Sequence, residues 1–230
     1  MASVNDYANL SANAYNGSGI PTGWALLGQR ANPQNGFLAF AYQRVNPDGT
    51  RGEIAIAIAG TNLADPGDLA ADAQIAAGQV PDQYADARTF YDDISKQYGS
   101  QYDITVTGHS LGGALASLIG AEFGEDVAAF NALGVAHLVD PNGNYSNINN
   151  YNAVFDPASN LPYSQIGKVN TVFVSSFLLI PDWMEPFIAR FHPVLLSYFL
   201  LDQHSIDNLV NANFTGAENF IRRRDPLTFD

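Results

Sequence analysis

One pentapeptide of this 230-residue chain, Gly108-His109-Ser110-Leu111-Gly112, has the form G-x-S-x-G. It follows a short apolar run, Asp103 to Thr107, and opens a stretch rich in alanine, leucine and glycine, Leu111 to Phe123. A serine set between a strand and a helix, with a glycine two positions to either side, is the pattern of a nucleophile elbow. The turn is sharp and its backbone strained. Side chains at 108 and 112 would collide with the neighbouring strand and helix, which is why glycine stands there. Ser110 is thereby pushed out above the carboxyl edge of the sheet. The Leu111 N–H and the positive end of the helix dipole then lie beside any oxyanion formed at that point. A dinucleotide fingerprint would need G-x-G-x-x-G, and Ser110 occupies the wrong place for it. His109 is expected to point away from the nucleophile and to pack.

A serine hydroxyl is a weak nucleophile near neutral pH. It needs a histidine to take its proton and a carboxylate to orient that histidine. In a fold of this kind the acid follows the serine and the histidine follows the acid. Three histidines come after Ser110: His137, His192 and His204. His137 precedes any convincing acid strand and reads as a structural surface residue. His192 lies in an aromatic, apolar stretch and reads as a lid or pocket residue. His204 sits where that stretch gives way to a final helical pattern, on a loop able to reach the sheet edge. Among the acids, Asp156 follows a strand running from Ile148 to Phe155. That is where an open α/β sheet builds a site. Asp140, in Asp-Pro-Asn-Gly, reads better as a turn residue. Asp182 and Asp202 are weaker candidates.

The elements that must position these groups alternate. Asp6 to Tyr15 reads as an amphipathic helix, with Tyr7, Leu10, Ala14 and Tyr15 on one side. Phe37 to Arg44 and Glu53 to Ala59 read as strands joined by the turn Asn46-Pro47-Asp48-Gly49, an antiparallel hairpin. Helices are expected over Asp68 to Ala77, Tyr84 to Tyr98 and Leu111 to Phe123. Strands are expected over Asp103 to Thr107, Val127 to Ala132, Ile148 to Phe155 and Val169 to Ser175. The fold class is therefore α/β: one domain, residues 1–230, with a mostly parallel central sheet and helices on both faces.

GHSLGGALA, preceded by the run Ile54 to Asn62 that ends in IAGTN, resembles the fungal-type (class 3) lipases of the α/β-hydrolase superfamily. The resemblance runs from the opening helix to about Val210, and the elbow is its most specific motif. It implies the α/β-hydrolase fold and a catalytic triad of Ser110, Asp156 and His204. His204-Ser205-Ile206 matches the His-Ser near the end of such lipases, and Asp156 with the later Leu161-Pro162 is similar to their acid loop. Gly60-Thr61 matches the Gly-Thr that supplies their second oxyanion donor, beside the Leu111 N–H. Asp65 and Asp68 to Asp72 are similar to the acidic helix start that follows, without its usual tryptophan. Ala59 stands where an arginine is often found. No metal or organic cofactor is implied.

The expected reaction is cleavage of carboxylic esters. Phe177 to Leu201 is apolar and aromatic, and Pro181, Pro186 and Pro193 break it into short pieces. It reads either as core or as an acyl-chain pocket, with Trp183, Phe187 and Phe191 as candidate substrate contacts. The second reading favours lipid esters and a lipid–water interface. Neither half reaches the roughly 20 apolar residues that span a bilayer. The net charge of −13, with only two lysines, opposes nucleic acid and anionic membranes. It does not oppose neutral or zwitterionic lipids. No cysteine is present, so disulfides and thiolate metal sites are excluded. The N-terminus shows no secretory signal pattern, and the expectation is either signal-independent secretion or a cytoplasmic location. Two other functions fit the same sequence: a membrane-active or adhesive module that keeps the hydrolase fold, and an acyltransferase.

Overall fold

Ser3 starts the first helix. Its hydroxyl accepts from the Asp6 N–H, and the Asp6 carboxylate accepts from the Ser3 N–H. This capping box satisfies two donors that a helix start leaves unbonded. Helix α1 then runs over Val4–Asn13. The computed structural model describes residues 2–17, 19–60, 74–153, 156, 159, 163–172, 205–210 and 212.

Strands β1 (Trp24–Asn32), β2 (Phe37–Val45) and β3 (Arg51–Ile58) form an antiparallel meander. The expected turn joins β2 to β3, with Gly49 at a φ of 81° and the Asp48 carboxylate accepting from the Thr50 N–H at 2.9 Å. From β3 onward every pairing is parallel, through β4 (Ile104–His109), β5 (Asp126–Phe130), β6 (Ile148–Ala153) and β7 (Lys168–Val172). The seven strands lie in chain order. Helices α2 (Gln83–Tyr98) and α3 (Leu111–Phe123) pack on one face, and α1 and α4 (Ile206–Val210) on the other.

The alternation of β3 shows how the two faces differ. Ile54, Ile56 and Ile58 point into the core under α2 and α3, and each is essentially fully buried. Burial of such a side chain stabilises by about 1.5–3 kcal/mol. Ala55 and Ala57 point the other way, beneath α1, where Ala128 of β5 joins them. Small residues there let α1 lie close to the sheet. Polar groups fill the contact: the Tyr7 hydroxyl donates to Thr105 at 3.2 Å, and the Ser11 and Thr107 hydroxyls share a bond of 2.8 Å. α1 therefore runs along β4 in the same direction, towards its carboxyl end.

Three expectations are corrected. The opening pair of strands has a third partner, β1, an edge strand of which only Trp24 is buried. β5 ends at Phe130 rather than Ala132, because Asn131 turns to a φ of 43° and leaves the ladder. His137, expected at the surface, is half-buried on the single helical turn Ala136–Leu138, with its ring stacked on Tyr163 at 3.5 Å. Of the expected helix from Asp68 to Ala77, residues 74–76 are helical and 61–73 lie outside the described residues. No helix among the described residues is long and apolar enough to cross a membrane.

Candidate active site

The elbow is a steric construction. Ser110 follows β4 with φ 56° and ψ −124° and is the cap residue of α3. A non-glycine residue in such a region costs on the order of 1–3 kcal/mol. The surrounding backbone holds it there: the Ser110 N–H donates to the Phe130 carbonyl at 3.0 Å, and the Ser110 carbonyl accepts from the Ala114 N–H at 3.1 Å. Gly108 and Gly112 are required by contact. A Cβ on Gly108 would lie 2.4 Å from the Gly112 carbonyl, and one on Gly112 would lie 2.2 Å from the Ile58 carbonyl oxygen. The first helical turn thus sits directly on the ends of β3 and β4. Leu111, fully buried, is the first residue of α3, so its N–H is at the positive end of that helix.

Gly60 makes the reciprocal fit. A Cβ there would meet the Tyr15 hydroxyl at 2.2 Å and the His109 carbonyl oxygen at 2.4 Å. The end of β3 and the end of β4 are therefore interlocked through two glycines, Gly60 and Gly112. His109 packs as expected: it is buried, and its Nδ1 lies 2.7 Å from the Tyr15 hydroxyl.

Two strands along, Asp156 follows β6 at the same edge of the parallel sheet. It is 2% exposed. Its carboxylate accepts from the Ser159 N–H at 2.7 Å, and its own N–H donates to the Ala153 carbonyl at 3.0 Å. Between Ser110 and Asp156, at the end of β5, stands Asn131. Its side-chain oxygen accepts from the Ala153 N–H at 2.8 Å, and its N–H donates to the Tyr151 carbonyl at 3.0 Å. Gln165 braces the same loop from behind, donating to the Ala132 carbonyl at 2.7 Å while its carbonyl accepts from the Asn152 amide at 2.8 Å. Asp140 is a turn residue, as its sequence indicates, accepting from the Asn142 N–H at 2.9 Å.

The fold therefore brings Ser110, Leu111 and Asp156 to one sheet edge. Thr61, His204, His192, Trp183, Phe187 and Phe191 lie outside the described residues, as do Asp65, Asp68 and Asp72. Their chain neighbours are placed: Gly60 at the end of β3, and Ser205 ahead of α4, whose Leu209 is fully buried on the α1 face. The sequence does not single out Tyr15 as more than a helix-face residue, nor Asn131 or Gln165 at all. The one signal for Asn131 is an asparagine closing an apolar strand, a residue type that tolerates a left-handed backbone.

The comparisons with known proteins bear on the fold and on the family. The native Rhizomucor miehei lipase–propeptide complex is 18% identical, with a TM-score of 0.51, and the match covers 74% of this chain and 67% of that one. A triacylglycerol lipase from Penicillium expansum is 17% identical, with a TM-score of 0.50 and coverage of 74% and 78%. These likenesses establish the α/β-hydrolase fold. An ATG15 protein of Meyerozyma guilliermondii, named as a lipase, is 47% identical over 60 residues, which span 23% of this chain and 11% of that protein. The stretch shared with that relative is thus a small fraction of its length. Residues 6–142, more than half of the sequence, match the phospholipase-like family model described as the Tle-like phospholipase domain, and the chain belongs to that family.

Proposed function

We propose that this chain hydrolyses the carboxylic esters of lipids, glycerophospholipids first among them, with Ser110 as nucleophile, His204 as base and Asp156 as the acid that orients it. The observation that carries the reading is the strained Ser110 at the head of α3, with a buried carboxylate at the same sheet edge. Membership of a phospholipase-like family supports the lipid substrate. So does the net charge of −13, which leaves zwitterionic lipid surfaces open while disfavouring anionic ones.

Ser110 Oγ attacks the ester carbonyl carbon as His204 takes its proton. The carbonyl oxygen becomes an oxyanion held by the Leu111 N–H and Thr61. The tetrahedral intermediate collapses, the C–O bond to the alcohol breaks, and His204 returns the proton to that oxygen. Water then attacks the acyl-serine as His204 accepts its proton; the bond from the acyl carbon to Ser110 Oγ breaks, His204 returns the proton to that oxygen, and the free acid leaves. Asp156 holds the histidine in the useful tautomer throughout. Trp183, Phe187 and Phe191 are the proposed acyl-chain contacts.

Phosphatidylcholine vesicles, with products identified by mass spectrometry, test this. Free fatty acid and lysophospholipid are expected from the wild type and neither from Ser110→Ala. Headgroup release, or equal activity in Ser110→Ala, overturns it. Vesicle leakage that persists without Ser110 identifies a membrane-active module instead. Esters of an added alcohol in place of free acid identify an acyltransferase.

A further inference from the structure

The two backbone segments proposed to hold the oxyanion start from different strands, Gly60-Thr61 after β3 and Ser110-Leu111 after β4. One side chain from neither strand touches both. The Tyr15 hydroxyl lies 2.7 Å from His109 Nδ1, and it occupies the space a side chain on Gly60 would need, 2.2 Å from where that Cβ would stand. Tyr15 follows α1, which is pinned to β4 through Tyr7–Thr105 and Ser11–Thr107. The phenol is therefore not a loose surface group. It is delivered to the carboxyl end of β4 by a helix bonded along that strand at two earlier points.

We propose that Tyr15 is a positioning residue of the oxyanion hole, its hydroxyl setting the spacing between the Gly60 backbone and the His109–Ser110 backbone. The proposal rests on the reading of Ser110 as nucleophile with Leu111 and Thr61 as oxyanion donors. A donor contributes only when it meets the developing oxyanion at about 2.7–3.1 Å. Two donors on separate strand ends need their separation fixed, and a bond to one end combined with direct contact on the other does that. In this reading Tyr15 acts through the two donor segments it meets, at His109 and at Gly60. Its loss should therefore weaken the transition state and leave substrate binding alone.

The test is Tyr15→Phe, which keeps the ring and removes the hydroxyl, with rates expressed per Ser110 titrated by an organophosphonate. The expected result is a kcat lower by about tenfold with KM within about twofold, since interactions made only in the transition state act on kcat. The inhibition constant of a long-chain alkyl boronic acid, whose adduct places an anionic oxygen in the hole, should weaken by a similar factor. If Tyr15→Phe does not fold, His109→Phe removes the same bond from the other side and should give the same split. Wild-type kcat per titrated site in either variant overturns the proposal and leaves Tyr15 as packing. A wild type that takes no label at Ser110 overturns the nucleophile reading instead, so the two failures are told apart.

Discussion

Two non-glycine residues among those described adopt a left-handed backbone, Ser110 at the end of β4 and Asn131 at the end of β5, and they are held there by different means. At Ser110 the backbone is forced by its surroundings: glycines at 108 and 112 bring helix and strands so close that only one path remains. At Asn131 the side chain itself takes part, accepting from the Ala153 N–H three residues before Asp156. One bend exposes a side chain, and the other uses a side chain to fix the neighbouring strand. The proposed nucleophile is thus placed by exclusion and the proposed acid by attraction. These differ in what they tolerate. A steric lock fails when an atom is added, whereas a hydrogen-bonded one fails when an atom is removed.

The largest expected effect breaks the steric lock. Gly112→Ala puts a Cβ against the Ile58 and Ala59 carbonyl oxygens, backbone atoms that cannot swing aside. A loss of roughly 3 kcal/mol or more is expected, with esterase activity down by at least about 10³-fold. A thermal melt and a short-ester assay read both. Retention of the wild-type melting point would show that the helix can lift off β3. Next comes glycine at each left-handed position. Ser110→Gly should abolish turnover, yet raise the melting temperature, because φ 56° costs glycine nothing. A gain of about 1 kcal/mol, or roughly 2–4 °C for a chain of this size, is expected. Asn131→Gly should do the opposite, losing about 1–3 kcal/mol, because the buried Ala153 N–H is left unpaired. Its kcat should fall by about tenfold as the acid loop loosens. Asn131→Ala should be worse than Asn131→Gly by about a further 1 kcal/mol, since alanine adds strain. Shifts of the same sign at 110 and 131 would erase the distinction between the two bends.

The same distinction decides what can be read from the sequence. The elbow is legible because each of its requirements is local: a glycine at 108, a glycine at 112, an apolar run before and a helical run after. The Ile/Ala alternation of β3 is legible for the same reason. β1 is not, because an edge strand buries little; Trp24–Asn32 carries Gly28, Gln29, Arg30 and Asn32 and has a register shift between Leu26 and Gly28. The supports of the acid loop are hidden for another reason. Asn131, Asn152 and Gln165 work through bonds to residues 13 to 33 positions away, and no spacing announces such partners. Tyr15 is of this second kind as well. In sequence it completes an apolar helix face, and its contact with Gly60 and His109 exists only once β3 and β4 are side by side.

The smallest expected effect concerns a titratable ring on the Asp156 side of the sheet edge. The loop after β5 carries His137, whose ring stacks on Tyr163, and the same contact surface is tight elsewhere: the Ala136 N–H donates to the Ser164 carbonyl at 3.0 Å. Burial of the imidazole pushes His137 below its ordinary pKa, with the Ile75 carbonyl opposing weakly. In the unfolded chain the ring takes a proton near its ordinary value of about 6.5. As pH falls through that value, the unfolded state binds the proton before the folded state does, and stability declines. The contribution is fully present above about pH 6.5 and is lost as the pH drops towards the lowered folded value. His137→Phe keeps a ring to stack on Tyr163 and removes the titration. Its melting temperature relative to wild type should therefore rise steadily from pH 7.5 down to pH 5.5. Other acid-titrating groups affect both proteins alike and cancel in the difference. Parallel melting curves for the two proteins across that range would mean that His137 carries no linkage.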